Sequence, residues 1–523
     1  MKDKFLRGAL ILTVAGLLVK VLGSVNRILL SRLLGGEGIG IYQIAYPIYL
    51  FIISVSAAGV PIAISILVAK KVAKQDLRGA HRVFKVSLGL MVVTGLVFAV
   101  ALYFIANWLI QGGIIRDARA YYALLALVPA VFFATILASA RGYFQGFQMM
   151  TPPAVSQILE QFVRVTFMLL LAYYLLPYGL EYAAAGAAFG AVPGALTGLV
   201  VLGTFYYRHK ELRSNALSPA ATGQAETIGD IGKALVLLAL PVSCANLTLP
   251  LVTGIDMLFV PPRLEVAGFS IKEATTAFGY LAGMALPLVT MSTIPTTSLA
   301  ASVVPAVSEA EALGQEEVIK NKSAMAIRLC MLLTLPAVVG LMVLGTGISA
   351  LLYGTKLAGP VISALAPSIF FLGLQQVTTG ILQGMGHTLV PMLTMLLSAA
   401  VKIACIWILV ADPLYNILGA AWASNLNFAV AACLNLLFLA YVGKHYIPIL
   451  SFLRISMASL AMGALVYGVN KYGLPYFGSI GTVLAAVAIG GISYVALLIV
   501  CREFSLEELQ GWLKKRKAGK RND

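Results

Sequence analysis

Charged side chains are what this sequence has least of. Asp, Glu, Lys and Arg together make up 11% of its 523 residues, while hydrophobic residues make up 60%. With a mean hydropathy of +0.92, the chain lies outside the range of soluble globular domains. Histidine is nearly absent. His81, His209, His387 and His445 stand at the ends of apolar spans without a second ligand at metal-binding spacing, so no metal site or cofactor is expected. The five cysteines, Cys244, Cys330, Cys405, Cys433 and Cys501, are widely separated and form no CxxC pair, which argues against a thiol redox centre. Acids are outnumbered by bases, 21 to 37, leaving a formal charge of +16 whose placement needs an explanation.

Apolar runs are what the chain has in excess. About fourteen of them approach the length that crosses a bilayer, which predicts an all-α membrane protein with little room for a soluble domain. The N-terminus has the basic start and apolar core of a signal peptide, but no small-x-small cleavage site precedes a soluble body, so it reads as the first span. With both termini placed in the cytoplasm, the basic clusters fall on one side: Lys2, Lys4 and Arg7; Lys70, Lys71, Lys74, Arg78, Arg82 and Lys85; Arg208, Lys210 and Arg213; Lys444, Arg454 and the tail "WLKKRKAGKRND". This is the positive-inside pattern, so topology and anionic lipid account for the excess charge and no nucleic-acid partner is expected.

An internal repeat divides the chain. "PAVFFATILASARGYFQGFQMMTPPAVSQILEQFVRV" (129–165) aligns without gaps on "PSIFFLGLQQVTTGILQGMGHTLVPMLTMLLSAAVKI" (367–403). The alignment matches Pro129 with Pro367, Gly142 with Gly380, Gln145 and Gly146 with Gln383 and Gly384, and Arg164 with Lys402. A weaker echo pairs "AGAAFGA" at 185 with "LGAAWAS" at 418. Duplicated halves are common in membrane carriers. The expected layout is a six-helix lobe at 1–210, a cytoplasmic linker at 211–230, a second six-helix lobe at 231–446, two further helices at 447–501, and a basic cytoplasmic tail at 502–523.

A cation in mid-span costs about 2.5–3.5 kcal/mol on insertion scales and therefore needs a reason. Four qualify: Lys20, Arg27, Arg164 and Lys402. Lys20 and Arg27 share a helical face with Thr13, Ser24 and Ser31, and Gly16 and Gly23 flank that stripe. Arg164 has Glu160 one turn earlier as a ready partner. Lys402 has Ser398 in that place, and Asp256 is a further candidate charge partner. Four cations around one wet space would bind an anionic substrate, with phosphate or pyrophosphate the obvious chemistry. Prolines inside the spans offer bending points. The glycine-rich "LGGEGIGIYQIAYP" has neither the preceding strand nor the GK[ST] of a phosphate loop.

"LGGEGIGIYQIAYPIY", "GVPIAIS", "RGYFQGFQMMTPPAVSQILEQFVRV" and "LPYGLEYAAAGA" together resemble the stage V sporulation protein B group of bacterial polysaccharide transporters. That group belongs to the multidrug/oligosaccharidyl-lipid/polysaccharide (MOP) exporter superfamily and is related to MurJ-type lipid II flippases. The resemblance covers essentially the whole chain. It implies two six-helix lobes in a V around a central cavity, with the last helix pair forming a groove for a polyprenyl tail. It further implies a monomeric flippase rather than an enzyme, moving a lipid-linked peptidoglycan precursor or related polyprenyl-pyrophosphate oligosaccharide across the bacterial cytoplasmic membrane by alternating access. Membrane lipids are its expected surroundings, and the sequence leaves the energy source open among Na+, H+ and the membrane potential. MurJ-type proteins carry cationic cavity residues on the first span, where this chain has Lys20 and Asn26 or Arg27. They also carry arginines in the second and eighth spans, where Tyr42 to Pro61 and Tyr280 to Pro305 here contain none; Arg164 and Lys402 are the candidates to replace them.

Two competing readings are weaker. A cation-coupled multidrug exporter of the same superfamily needs an acid in its N-terminal lobe, where this chain offers cations. A membrane glycosyltransferase needs clustered acids or a histidine on an outward loop, whereas Glu37, Asp117, Glu181, Glu265, Glu273 and Asp412 are scattered along the sequence.

Overall fold

The computed structural model describes residues 2–57, 59–208, 227–442, 449–501 and 503, and these are helical with no strand. Of the expected linker at 211–230, residues 211–226 lie outside the described residues, as do Lys444 and the tail from Phe504 onward, while the linker's last residues, from Ile228, begin a helix. A chain this apolar, whose backbone must satisfy its own hydrogen bonds in lipid, can do so within helices.

The first half contains α1 (Lys2–Ser56), α2 (Val60–Ala73), α3 (Leu77–Gln111), α4 (Ala120–Gly146), α5 (Thr151–Leu175), α6 (Leu180–Phe189) and α7 (Ala191–Arg208). Next come α8 (Ile228–Asn246), α9 (Thr248–Val266) and α10 (Ile271–Phe278), which runs through a π-helical turn (Gly279–Ala285) into α11 (Leu286–Ser292), followed by α12 (Ile294–Ala312). The remainder is α13 (Glu316–Tyr353), α14 (Gly359–Leu365), α15 (Ser368–Gly384), α16 (Leu389–Cys405), α17 (Asn416–Tyr441), α18 (Ile449–Tyr472) and α19 (Leu474–Val500). Local chemistry sets several boundaries. The Asp76 carboxylate caps α3 by accepting from Gly79 N at 2.8 Å, and Ser270 with Glu273 forms a capping box that starts α10. Gly35, at φ 67 and ψ −172, breaks α1 in a conformation that a residue with a Cβ resists.

Twelve segments among the described residues are long and apolar enough to cross a membrane, against the fourteen expected. The difference lies in two places. Two expected spans fall in one apolar segment, Val14–Ala73, which contains the Gly35 kink and the junction of α1 with α2, and the expected span at 231–260 is divided near Leu247 between α8 and α9.

The chain forms two compact units, Met1–Gly283 and Met284–Asp523. Helices α8 to α10 therefore pack within the first unit. In the second unit the Glu503 carboxylate, 1% exposed, accepts from Arg328 Nε of α13 at 2.6 Å and lies 3.9 Å from Arg454 of α18, fastening the end of α19 to both helices.

The repeat read in the sequence reappears as packing within each unit. A Cβ at Gly142 of α4 would sit 2.7 Å from the Pro61 carbonyl of α2, and one at Gly380 of α15 would sit 2.9 Å from the Ala300 carbonyl of α12. Gly146 meets Val68 as its partner Gly384 meets Val307. Gly186 abuts the Leu171 carbonyl, and Gly419, its counterpart in the weaker echo, abuts that of Leu409. At one contact the sizes are exchanged: Gly95 of α3 faces Thr135 of α4, whereas Thr334 of α13 faces Gly373 of α15. Small residues at these crossings let backbones approach and gain dispersion contact where lipid offers no hydrophobic drive.

This geometry predicts that Gly142→Val and Gly380→Val each lower the thermal unfolding temperature in detergent, because overpacking at such a crossing costs about 1–3 kcal/mol. Gly16→Val, with nothing within 4 Å, serves as the neutral control. Equal unfolding temperatures for all three variants would contradict the packing.

Candidate functional site

The sequence placed Asn26 and Arg27 on α1 and Arg164 on α5, and the first unit brings these together. Helix α5 packs along α1: a Cβ at Gly23 would touch the Gln161 amide nitrogen at 3.4 Å, and Asn26 Nδ2 donates to the Met168 sulfur at 3.2 Å. Asn26 is 4% exposed, and its Oδ1 has no hydrogen-bond partner in the structure. Two glycines bracket Arg164, Gly194 meeting its Cβ and Gly190 its carbonyl oxygen, which fixes the height of the guanidinium.

Arg164 and Glu160 do not form the expected ion pair. The Glu160 carboxylate accepts from Arg141 of α4 at 2.5 Å, and Arg141 also donates to Ser156 Oγ at 3.2 Å. The physical reason is reach: Arg141 approaches Glu160 from the neighbouring helix, on the side where Ser156 and the Gly198 carbonyl continue the chain of hydrogen bonds. Arg164 turns instead to Tyr49, donating to its hydroxyl at 3.5 Å with the guanidinium carbon 5.9 Å from the ring centroid.

Tyr49 ends a ladder that sequence reasoning missed. Tyr42 and Tyr46 stack at 5.3 Å between centroids, and Tyr46 and Tyr49 meet at 5.9 Å. Their spacing along the helix, one turn and then nearly another, is the signal that could have revealed them. Arg27 and Arg164 both lie within electrostatic reach of Tyr42, so the Gly35 kink brings a cation before it and aromatic hydroxyls after it into one neighbourhood with Arg164. Lys20, farther along the same helix, is exposed. Asp256 is buried on α9.

Lys402 belongs to the second unit and is 2% exposed there. It continues a polar stripe on α16 in which Thr394 donates to Asn435 Oδ1 at 2.8 Å and Ser398 to Asn427 Oδ1 at 3.1 Å, both on α17. Asn435 in turn donates to Thr378 of α15 at 3.1 Å. The lysine is thus buried on the same stripe as these hydrogen-bonded residues.

Of the acids that looked scattered in the sequence, Glu37 and Glu265 meet arginines from other segments and Asp117 meets Arg119. Arg119 joins Glu37 of α1 to Asp117, which also accepts from Thr275 of α10 at 2.8 Å. Lys272 reaches Glu37 at 3.5 Å, and Arg116 reaches Glu265 at 3.8 Å. Burial alone would raise the Asp117 pKa. The hydrogen bonds from Arg119 and Thr275 and the Arg119 charge outweigh it and hold the carboxyl below its usual range, while Asp117 in turn holds the guanidinium charged. These charges are paired between segments, so they tie helices together.

Many crossing helices in duplicated halves, with cations gathered inside a span, define a polytopic membrane transporter. The polysaccharide biosynthesis protein family matches residues 5–264, and the MatE family matches residues 241–408. Stage V sporulation protein B of Bacillus subtilis (strain 168) is 31% identical over 512 residues, covering 97% of this chain and 98% of that protein. The lipid II flippase MurJ of the same organism is 26% identical over 77% of each chain. A solved structure of lipid II flippase MurJ in an inward closed conformation superposes with a TM-score of 0.70 at 17% identity, covering 94% of this chain and 98% of that one. The chain belongs to the stage V sporulation protein B family of the MOP transporter superfamily. It is a membrane transporter of that family rather than an enzyme.

The depressed Asp117 pKa carries a sign. Its ionised form stabilises the fold above the unfolded carboxyl value of about 4, and that contribution is lost as pH falls through the lower folded value. Asp117→Asn is expected to lower the unfolding temperature at neutral pH by a few degrees and to flatten its decline between about pH 5 and pH 3, since charged hydrogen bonds contribute about 1.5–3 kcal/mol. A variant that keeps the wild-type acid profile would contradict this assignment.

Proposed function

We propose that the protein is a flippase that moves a polyprenyl-pyrophosphate-linked oligosaccharide, such as lipid II-like peptidoglycan precursor, across the bacterial cytoplasmic membrane by alternating access, with both termini cytoplasmic. One observation carries the reading: Arg164, in mid-span, rests on a tyrosine ring while the nearest carboxylate of its own helix is held by Arg141. A guanidinium hydrogen-bonded to a phenol at 3.5 Å retains donors for a phosphate, which arginine binds through paired, charge-assisted hydrogen bonds. Arg27 supplies a second charge nearby, Asn26 an open acceptor, and Lys20 an exposed cation on the same helix.

The two units contribute differently to this reading. Arg27 and Arg164 bind the headgroup, while Lys402 is buried within the second unit and Thr394 and Ser398 tie α16 to α17. An inside-negative potential favours outward passage of an anionic headgroup by about 2.3 kcal/mol per charge per 100 mV, so transport needs no dedicated cation site. A second reading, a cation-coupled exporter of organic cations, draws on buried Asp256 but leaves Arg27 and Arg164 without a role.

The test is a reconstituted flipping assay with fluorescent lipid II and, in parallel, a cationic dye. The expected result is movement of lipid II and not of the dye, with Arg27→Ala and Arg164→Ala each slowing it at least about tenfold, the equivalent of one charged hydrogen bond. Transport of the dye alone, or unchanged lipid II flipping in both variants, would refute the proposal.

A further inference from the structure

Glu160 has two guanidinium groups within its range and is committed to one of them. It stands one helical turn from Arg164 on α5, close enough that its charge is felt there, and acid–base pairs at this spacing form readily on a helix. Arg141 of α4 holds it instead. Arg141 adjoins Gly142, whose backbone rests on the Pro61 carbonyl, so the tight crossing of α4 on α2 fixes where the arginine starts. Its guanidinium donates to Glu160 and to Ser156 Oγ, and Ser156 donates in turn to the Gly198 carbonyl at 3.2 Å. The side chains of Arg141 and Glu160 are only 16% and 19% exposed.

The duplication shows what this pair is not needed for. The fixed offset that aligns the repeat sets Arg141 on Thr379, Ser156 on Thr394 and Glu160 on Ser398. The second unit ties the corresponding helices with neutral groups: Thr394 donates to Asn435 Oδ1 at 2.8 Å, Asn435 to Thr379 Oγ1 at 3.3 Å, and Ser398 to Asn427 Oδ1 at 3.1 Å. Hydroxyls and amides therefore suffice to hold such a crossing. The first unit places a base and an acid there, although each is unfavourable to bring into a membrane. The acid without the base would turn to Arg164. With the base present, the charge of Arg164 stays uncompensated by Glu160.

We infer that Arg141 is a positioning residue of the headgroup site: by holding Glu160 it keeps the Arg164 guanidinium available to phosphate. A carboxylate and a phosphate compete for the same arginine donors, so Glu160 released from Arg141 takes the place of the headgroup. The sign of the charge that the site accepts is thus set from α4, rather than from α1 and α5, which carry Arg27 and Arg164. For the identity of the anion the inference rests on the proposed function.

The test reads Arg164 directly and needs no lipid, so its outcome is separate from that of the flipping assay. Phenylglyoxal modifies guanidinium groups, and its reaction with half-buried Arg164 is followed by peptide mass spectrometry of the purified full-length chain. Arg141→Leu should slow that reaction about tenfold, because Arg164 then gains a charged hydrogen bond to Glu160. Glu160→Gln alone should leave the rate as in the wild type. Adding Glu160→Gln to Arg141→Leu should restore it. A merely structural bridge behaves otherwise: it is lost whichever end is removed, and removing the second end restores nothing. Should Arg141→Leu not fold, Arg141→Gln keeps a donor toward Ser156 and gives the same comparison. An Arg164 rate unchanged by removal of Arg141, or slowed equally by both single substitutions, would overturn the inference.

Discussion

An arginine side chain in the middle of a membrane helix, resting on a tyrosine rather than a carboxylate, is the constraint around which the first unit is arranged. Inserting such a charge is unfavourable by about 2.5–3.5 kcal/mol. The structure lowers that penalty with an aromatic face and a phenolic hydroxyl, and it directs Glu160 to Arg141. Glycines at 190 and 194 fix the arginine's height, and Asn26 and Arg27 on α1 occupy the same neighbourhood. Were Glu160 bound to Arg164, the site would be electrically closed and would offer an anion far less.

Glycine supplies the second theme. Where lipid removes the hydrophobic drive between helices, close backbone approach takes its place, and the same glycine crossings recur in both compact units. Gly142 and Gly380, in tight contact with carbonyls, hold bundles together. Gly36, Gly40, Gly279 and Gly283 make a similar close contact within the first unit, with the Tyr280 ring against Gly36, the Ile39 side chain against Gly283, and ion pairs around Glu37.

The sequence showed the helical class, the duplication and the identity of the unusual cations, because each rests on composition, spacing or a local pattern. It did not show pairing. Arg141 and Glu160 are on different helices, so only the fold decides that they meet and that Arg164 does not share the acid. Arg119, Glu37 and Asp117 looked dispersed for the same reason. The tyrosines at 42, 46 and 49 were visible as helical spacing, but their tie to Arg164 depends on how α5 lies against α1. Burial of Lys402 was equally hidden, since the Asn427 and Asn435 side chains that enclose its stripe come from the following helix. Fourteen apolar runs could be counted in the sequence, but the break near Leu247 and the continuity across Gly35 come from backbone geometry.

The central claim is that Arg27 and Arg164 together attract an anionic lipid headgroup. Native mass spectrometry of the purified chain, offered equal amounts of a polyprenyl-pyrophosphate disaccharide and a neutral polyprenol of the same length, addresses it most directly. The account predicts preferential retention of the pyrophosphate lipid by the wild-type chain and loss of that preference when both arginines are replaced by alanine. Equal retention of the two lipids, or a preference that survives the double replacement, would contradict it.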